Sequence, residues 1–461
     1  MTKFTKKMVL GLSSVSVAAL LCGTAEANNP NNSSKSRLTR TISKHMHKKG
    51  HMHTHKMDMR KDVETAKGIS VTAYGLANVA GRYANTGESH YEASPAGNQH
   101  STGKSGIAFV DNSNAASRIG LKAAKQFRCH EFGAKLEMGL NEFNSSNIDV
   151  RNDDANKTSG VNIRHADFHW KMPWGKLSLG KGSTASECLT EGSDLSGTDI
   201  VASGPAVQNL GGGVAFNRML TNASSTSKTD YKSVKVGDTW DSFDGLGRDQ
   251  RVRYDTPNFA GFVLSAGHVN NGNSDVVLRF SGDFSRFKVD AAVGGYTTRV
   301  AHTVNANGIG TNGTNKKTIA GALSVLHTAS GVSLTGSFAD QNNDKMNNPG
   351  QIKEKTTEER VYFRQKNSTM TFVKLGWQKD FFSWGTTAFA VNYGKERNIL
   401  RDNDITKTVG FTVVQNIKDA GTQLYLTGQQ FKHETDIATA DKTHLDPSRV
   451  TVIALGACIK F

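Results

Sequence analysis

Apolar and polar residues alternate one for one through most of the chain beyond Gly68, and this period of two constrains the fold more than any other feature. In SRIGLKAAKQF, Ile119, Leu121 and Ala123 fall on one face and Arg118, Gly120 and Lys122 on the other. Successive side chains of a β-strand point to opposite faces, so this strand has one apolar and one polar side. The pattern recurs with Leu136, Met138 and Leu140 against Lys135 and Glu137, and with Ala166, Phe168 and Trp170 against His165, Asp167 and His169. Val252 and Tyr254 stand against Arg251 and Arg253 in the same way. Strands are expected near 68–83, 116–127, 131–142, 161–171, 174–181, 248–255, 261–270, 276–283, 287–300, 316–327, 331–341, 369–381, 385–397, 404–419, 421–435 and 448–461, sixteen in all.

Alternation alone also fits a soluble sheet, and the connections separate the two cases. Short turns (CHE, MPWGK, DFSR, HTASG, FFSWG, KDAG) alternate with longer polar loops, the longest running from Gly182 to Gly247. Aromatics flank the short turns: Phe127 and Phe132, Trp170 and Trp174, Phe259 and Phe262, Phe284 and Phe287, Phe381, Phe382 and Trp384. A soluble sandwich has no reason to ring one set of turns with Phe and Trp, whereas a lipid-facing barrel carries such a girdle at the membrane interface. Composition agrees, with 46 Gly and only 7 Pro in 461 residues, because Pro removes a donor from a strand ladder. No run of about 18 apolar residues follows the first two dozen positions, which excludes a helical membrane protein. The sequence therefore predicts an all-β, transmembrane, antiparallel β-barrel, and an even strand number puts both chain ends on the short-turn side.

Ahead of the barrel, residues 1–27 read as a secretory signal peptide: a basic start with Lys3, Lys6 and Lys7, an apolar stretch, and Ala25-Glu26-Ala27 as cleavage site. Leu20 and Leu21 before Cys22 argue against a lipoprotein. Residues 28–67 form a polar tail with ten Lys or Arg against three Asp or Glu. Of the formal net charge of +15, about +6 remains for residues 68–461, so no nucleic-acid partner is implied. Within the tail, His45, His47, His51, His53 and His55 lie among four Met. Such a tract can take up Cu, Ni or Zn adventitiously, and it can equally be a solvated spacer meeting anionic cell-wall polymer. No resident cofactor is expected. The cysteines left outside the leader, Cys129, Cys188 and Cys458, are no disulfide framework and include no CxxC pair.

SRIGLKAAKQF, GKLSLGKGSTASE, DLSGTDIV and above all FDGLGRDQRVRYDTPNFAGFVLSAG resemble the Gram-negative porin family. The terminal Phe461 after an alternating strand is similar to the assembly signal of bacterial outer-membrane barrels. The resemblance spans about 70–461 and departs from the family at QFRCHE, Gln126–Glu131, where an acidic turn is usual. It implies an integral outer-membrane barrel of about sixteen strands, a homotrimer surrounded by lipid and lipopolysaccharide, that passes ions and small hydrophilic solutes by passive diffusion. It also implies that the third external loop folds inward and narrows the lumen. That loop would carry Glu187, Glu191, Asp194 and Asp199, opposite a wall of Arg118, Lys122, Lys135, Arg164, Arg251 and Arg253. Carboxylates facing cations across a narrow lumen set up a transverse field that acts on ion preference.

Two other functions compete. The basic tail suits an outer-membrane anchor that holds peptidoglycan, with the barrel as a platform. A barrel lipase or protease needs a nucleophile, and the chain carries no Ser in a recognisable elbow and no defensible Ser/His pair, so it is not read as an enzyme. His165, Asp167 and His169 share one strand face at metal-ligand spacing, but a wet polar lumen explains them more simply.

Overall fold

The computed structural model describes residues 68–461 except 88, 94–96, 102, 141–142, 151–159, 217–233, 300–302, 305–309, 312–314, 343–365, 401–402 and 435–447. The leader, the tail and its five histidines lie outside the described residues.

Strand β1 (Ile69–Asn85) is followed by a small separate hairpin, β2 (Ser89–Ala93) and β3 (Gly97–Ser101), then by β4 (Ser105–Asp111) and β5 (Arg118–Phe127). Next come β6 (His130–Leu140), β7 (Val161–Met172) and β8 (Gly175–Ser183), a long loop, and β9 (Arg248–Asp255), β10 (Phe262–Val269), β11 (Ser274–Phe284) and β12 (Phe287–Arg299). Two-residue strands β13 (Thr303–Val304) and β14 (Gly310–Thr311) precede β15 (Asn315–His327), β16 (Val332–Asn342), β17 (Ser368–Phe382), β18 (Gly385–Arg397), β19 (Ile405–Ile417), β20 (Thr422–Glu434) and β21 (Ser448–Lys460).

Seventeen of these segments form one antiparallel sheet that closes where β1 pairs with β21, from Leu76↔Lys460 to Asn85↔Thr451. The barrel has sixteen strand positions because β4 and β5 share one. On its other edge β1 pairs with β5 through its first half, Ile69↔Lys125 to Leu76↔Arg118, and with β4 through its second, Val79↔Asp111 to Asn85↔Ser105. This corrects the single strand expected at 116–127. The wall strand starts at Ser105 and is broken at 112–117, where a short 3₁₀ turn at Ser113–Ala115 interrupts the ladder. Asp111 accepts hydrogen bonds from the Ser117 N–H, and the Asn78 N–H donates to the Ser117 hydroxyl at 2.9 Å, so side chains replace the missing ladder bonds.

The two faces separate as the alternation requires. Leu121, Leu136, Phe168 and Val252 are exposed, and Leu455 is 67% exposed, while Ser324, Thr335, Lys374 and Glu137 on alternate positions are buried. An apolar belt around a closed barrel is stable in lipid, not in water. Aromatic contacts sit at the short-turn end: Phe132 with Trp170 at 5.8 Å, Trp174 with Tyr254 at 6.1 Å, Trp377 with Phe381 at 5.4 Å and Phe382 with Trp384 at 5.4 Å. Phe461 ends there too, its carbonyl accepting from the Gly75 N–H at 2.7 Å.

Candidate functional site: the long loop and the arginine wall

The segment 184–247 hydrogen-bonds to polar-face side chains around much of the barrel. Ser186 donates through N–H and hydroxyl to Asp275 at 2.6 and 2.7 Å, Ser337 donates to the Thr190 carbonyl at 2.9 Å, and Ser324 accepts from the Leu195 N–H at 3.2 Å. Gln378 donates to the Leu195 carbonyl at 2.6 Å, and Glu396 accepts from the Asp241 N–H at 2.9 Å. A single segment reaches the polar faces of β11, β15, β16, β17 and β18 only from inside a closed barrel. Its apolar side chains, Leu189, Val201, Val207, Leu210, Val214, Trp240 and Phe243, bury against Phe431, Val450 and Val452 of the wall, so the hydrophobic core lies within the barrel.

Arginines fix where the loop begins and crosses. Arg251 donates to the carbonyls of Ser183 at 2.9 Å and Gly180 at 2.8 Å and pairs with Asp167 at 2.6 Å. Arg253 donates to the Thr184 carbonyl at 2.7 Å and pairs with Asp255 at 2.8 Å. Arg82, fully buried on β1, donates to the carbonyls of Ser145, Ile148, Asp149 and Leu210, tying the 143–150 segment to the loop.

Between loop and wall lies a cavity of about 290 Å³. Glu187, Glu191, Asp199, Asp241 and Asp244 line it from the loop, and Arg118, Arg164 and Arg248 from the wall. Arg248 pairs with Glu187 at 2.6 Å. Arg164 reaches the cavity because it is the extra residue of a bulge: Glu137 pairs with His165 while the next residue, Met138, pairs with Ile163. A bulge re-aims one side chain against the alternation, and Arg164 Nε accordingly meets Glu137 Oε1 at 2.7 Å. The break in the wall strand supplies Asn114, which donates to the Asp199 carbonyl at 2.6 Å and accepts from the Ser203 N–H at 3.2 Å.

The other residues named from sequence go elsewhere. Asp194 does not line the cavity: it is buried against Lys374 Nζ at 2.8 Å. Lys135 pairs with Glu137 at 3.3 Å, and Lys122 lies 5.0 Å from the centroid of the Tyr74 ring. Arg251 and Arg253 hold the root of the loop. Asp167 is engaged by Arg251 and His169 by Glu131 at 3.2 Å, and among the described residues no group of three or more His, Cys, Asp or Glu could hold a metal ion. Cys129 is exposed, and Cys188 and Cys458 are buried; all three are free thiols. Arg248, Asp241, Asp244, Asn114 and Arg82 were not singled out from sequence. Arg248 stands where the loop meets β9, so strand parity does not fix its direction.

Protein surrounds the loop acids on most sides, and their protonation follows. Burial pushes the Glu191 carboxyl well above the usual carboxylate range, and neighbouring Asp244 adds to the shift. Asp244 is pushed up to about 7, by burial first and by Glu187 next, although backbone N–H groups of Cys188, Thr190 and Glu191 pull the other way. Burial also raises Asp199. Burial pushes Asp194 up as well, but the Lys374 ammonium and the Gly204 N–H outweigh it and hold this carboxyl below its ordinary range.

A family model described as Gram-negative porin matches residues 14–436. No curated protein matches the chain by sequence. Among solved structures, the barrel is similar to an anion-selective porin from Comamonas acidovorans, with TM-score 0.50 and 16% identity over 85% of this chain and 100% of that one. OmpT of Vibrio cholerae aligns with TM-score 0.48 and 12% identity over 87% of this chain and 100% of that one. The outer-membrane channel DcaP of Acinetobacter baumannii aligns with TM-score 0.45 and 11% identity over 86% and 99%. The family match over most of the chain, together with a closed barrel whose outer belt is apolar, makes this chain a member of the Gram-negative porin family: an integral outer-membrane channel for passive diffusion of ions and small hydrophilic solutes.

Proposed function

We propose that the cavity between Glu187, Glu191 and Asp199 on one side and Arg118, Arg164 and Arg248 on the other is the narrowest part of the channel and sets its ion preference. The observation that carries this reading is the convergence of loop carboxylates and wall guanidiniums on one space of about 290 Å³. Charges of opposite sign a few ångströms apart, walled by protein, make a field across the path rather than along it. A dipolar solute turns in that field, and an ion's preference follows from which side holds more charge. Arg251, Arg253, Arg82 and the Asp194–Lys374 pair are positioning residues: they hold the loop where its acids meet the arginines.

The short-turn end, with both chain ends, faces the periplasm in this reading, so the His-rich tail is periplasmic and any Cu, Ni or Zn it carries is adventitious. The family favours a homotrimer in lipid and lipopolysaccharide and a protein without enzymatic activity. Recording purified protein in a planar bilayer tests the reading: ohmic unitary steps are expected, and a silent barrel would leave the peptidoglycan anchor in its place.

A further inference from the structure

The connection between β6 and β7 runs into the barrel over residues 143–150, and a single side chain holds it there. Arg82 of β1 shares its strand face with Asn78, Ala80 and Ala84, all buried, while Val79 and Tyr83 on the opposite face are exposed. Its face is therefore the lumen face. Arg82 Nη1 donates to the carbonyls of Ser145 at 3.1 Å and Leu210 at 3.2 Å, and Nη2 donates to those of Ile148, at 3.0 Å, and Asp149. One guanidinium thus grips two separate segments, 143–150 and the long loop at Leu210. A rigid fork of donors can span both, whereas a Lys ammonium is a single point charge.

The two segments lie backbone against backbone. A Cβ on Gly213 would come within 2.4 Å of the Ile148 carbonyl oxygen, so glycine is required at that approach. The Ala215 N–H donates to Asp149 Oδ1 at 3.0 Å, and Ile148 and Val150 share one buried apolar cluster with Leu210, Val214, Phe216 and Val236. From this block, hydrogen bonds lead to the cavity. The Ser145 hydroxyl donates to the Asn209 carbonyl at 2.5 Å and accepts from the Ser113 N–H at 3.0 Å. Asn209 Nδ2 donates to Asn114 Oδ1 at 3.2 Å, and Ser113, Asn114 and Asn209 all line the cavity.

We propose that residues 143–150 are a second inward loop, with Arg82 as its positioning residue, and that this loop fixes the size limit of the channel by holding Ser113, Asn114 and Asn209 at the rim of the cavity. Width and charge then have separate determinants: the block held by Arg82 acts on cross-section, and the loop carboxylates with Arg118, Arg164 and Arg248 act on ion preference. Without the guanidinium, four carbonyls inside the barrel lose their donor, and the block loosens from the rim. The inference rests on the cavity being the conducting constriction.

The test measures unitary conductance in planar bilayers and swelling of proteoliposomes in uncharged linear oligosaccharides of increasing length. Arg82→Ala should raise conductance about twofold, because current follows the open cross-section, and should admit the shortest oligosaccharide that wild type excludes. Arg82→Lys should fall between the two. Asp149→Ala cuts the contact with Ala215 but leaves Arg82 in place, so it should move both readouts the same way and serves where Arg82→Ala does not assemble. Ser113 and Ser146 carry hydroxyls 2.5 Å apart, so Ser113→Cys/Ser146→Cys can tie the loop to the wall. Added to Arg82→Ala, this disulfide should restore wild-type conductance and size limit, and a reductant should abolish the restoration. Wild-type values in Arg82→Ala or Asp149→Ala, or an oxidised triple variant as open as the reduced one, would overturn the inference; an Arg248→Gln protein with unchanged reversal potential would instead count against the constriction.

Discussion

Asp194 and Lys374 stand 180 residues apart in sequence, yet their side chains pair at 2.8 Å, each about 1% exposed. The pair pins the middle of the inward loop to β17, and Lys374 also donates to the Ala202 carbonyl at 2.8 Å. Removing one partner of a buried pair leaves an uncompensated charge, at a cost of about 3 to 5 kcal/mol. Lys374→Met should therefore loosen the loop, lower the thermal midpoint and make unitary conductance larger and noisier, while Asp194→Asn/Lys374→Met together should recover most of the stability. Single-channel recording with thermal unfolding in detergent checks both.

Facing is tested by thiol labelling. Lys122→Cys should react with a water-soluble reagent and Leu121→Cys should not, because Leu121 is 50% exposed on the belt that meets lipid. Leu136→Arg should destabilise the barrel by about 2 to 4 kcal/mol if that position lies near the bilayer midplane. Labelling at Leu121→Cys with none at Lys122→Cys would reverse the face assignment.

The sequence carried the barrel because the constraint there is local: a lipid-facing strand must be apolar at every second residue, whatever its partners. Strand ends at Arg248–Asp255 and Gly385–Arg397 coincide with the expected ones for this reason. Ser105–Asp111 escaped notice although Ile107 and Phe109 alternate, at 68% and 76% exposed, because Asn112–Ser117 reads as an ordinary loop and hides that one strand position continues across it. That Glu187, Glu191, Asp194 and Asp199 share one long loop is visible in the sequence, but which of them line the cavity is not. Asp194 could not be separated from them, since its partner Lys374 is known only once the loop lands on β17. Arg164 depended on a bulge and Arg248 on a loop end, and neither follows from a period of two.

Acidity should change selectivity. Asp244 is held at about 7, up from an ordinary 3.8, and burial with the neighbouring Asp244 raises Glu191 well above the usual carboxylate range, so both are largely neutral in acid and Asp244 ionises as the pH rises through about 7. The acidic side of the cavity gains charge on that rise, and the cation-to-anion permeability ratio should increase between pH 5.5 and 8.5. Between about pH 4 and 7 the folded loop binds more protons than the unfolded chain, so its seat is stabilised in acid and this contribution is lost as pH climbs through the folded value. Asp244→Asn should flatten the pH dependence of the reversal potential; a dependence as steep as that of wild type would assign it to another group.

Packing of the loop's far end rests on one glycine. A Cβ on Gly394 would come within 2.3 Å of the Trp240 ring, which is 1% exposed and donates to the Pro205 carbonyl at 2.8 Å. Gly394→Ala should displace the indole and cost about 1 to 3 kcal/mol, as overpacking does. Tryptophan emission should shift to longer wavelength, and unchanged emission would mean that Trp240 tolerates the intrusion.

Reversal potentials in a KCl gradient at pH 8.5, compared between wild type and Glu187→Gln/Glu191→Gln/Asp199→Asn, test the central claim most directly. A unit charge about 4 Å from an ion's path is worth about 1 kcal/mol even at water-like screening, roughly fivefold in a permeability ratio. The variant's ratio should move toward anions by at least that factor, with unitary steps retained. A ratio equal to wild type would mean that ions do not pass between the loop carboxylates and Arg118, Arg164 and Arg248.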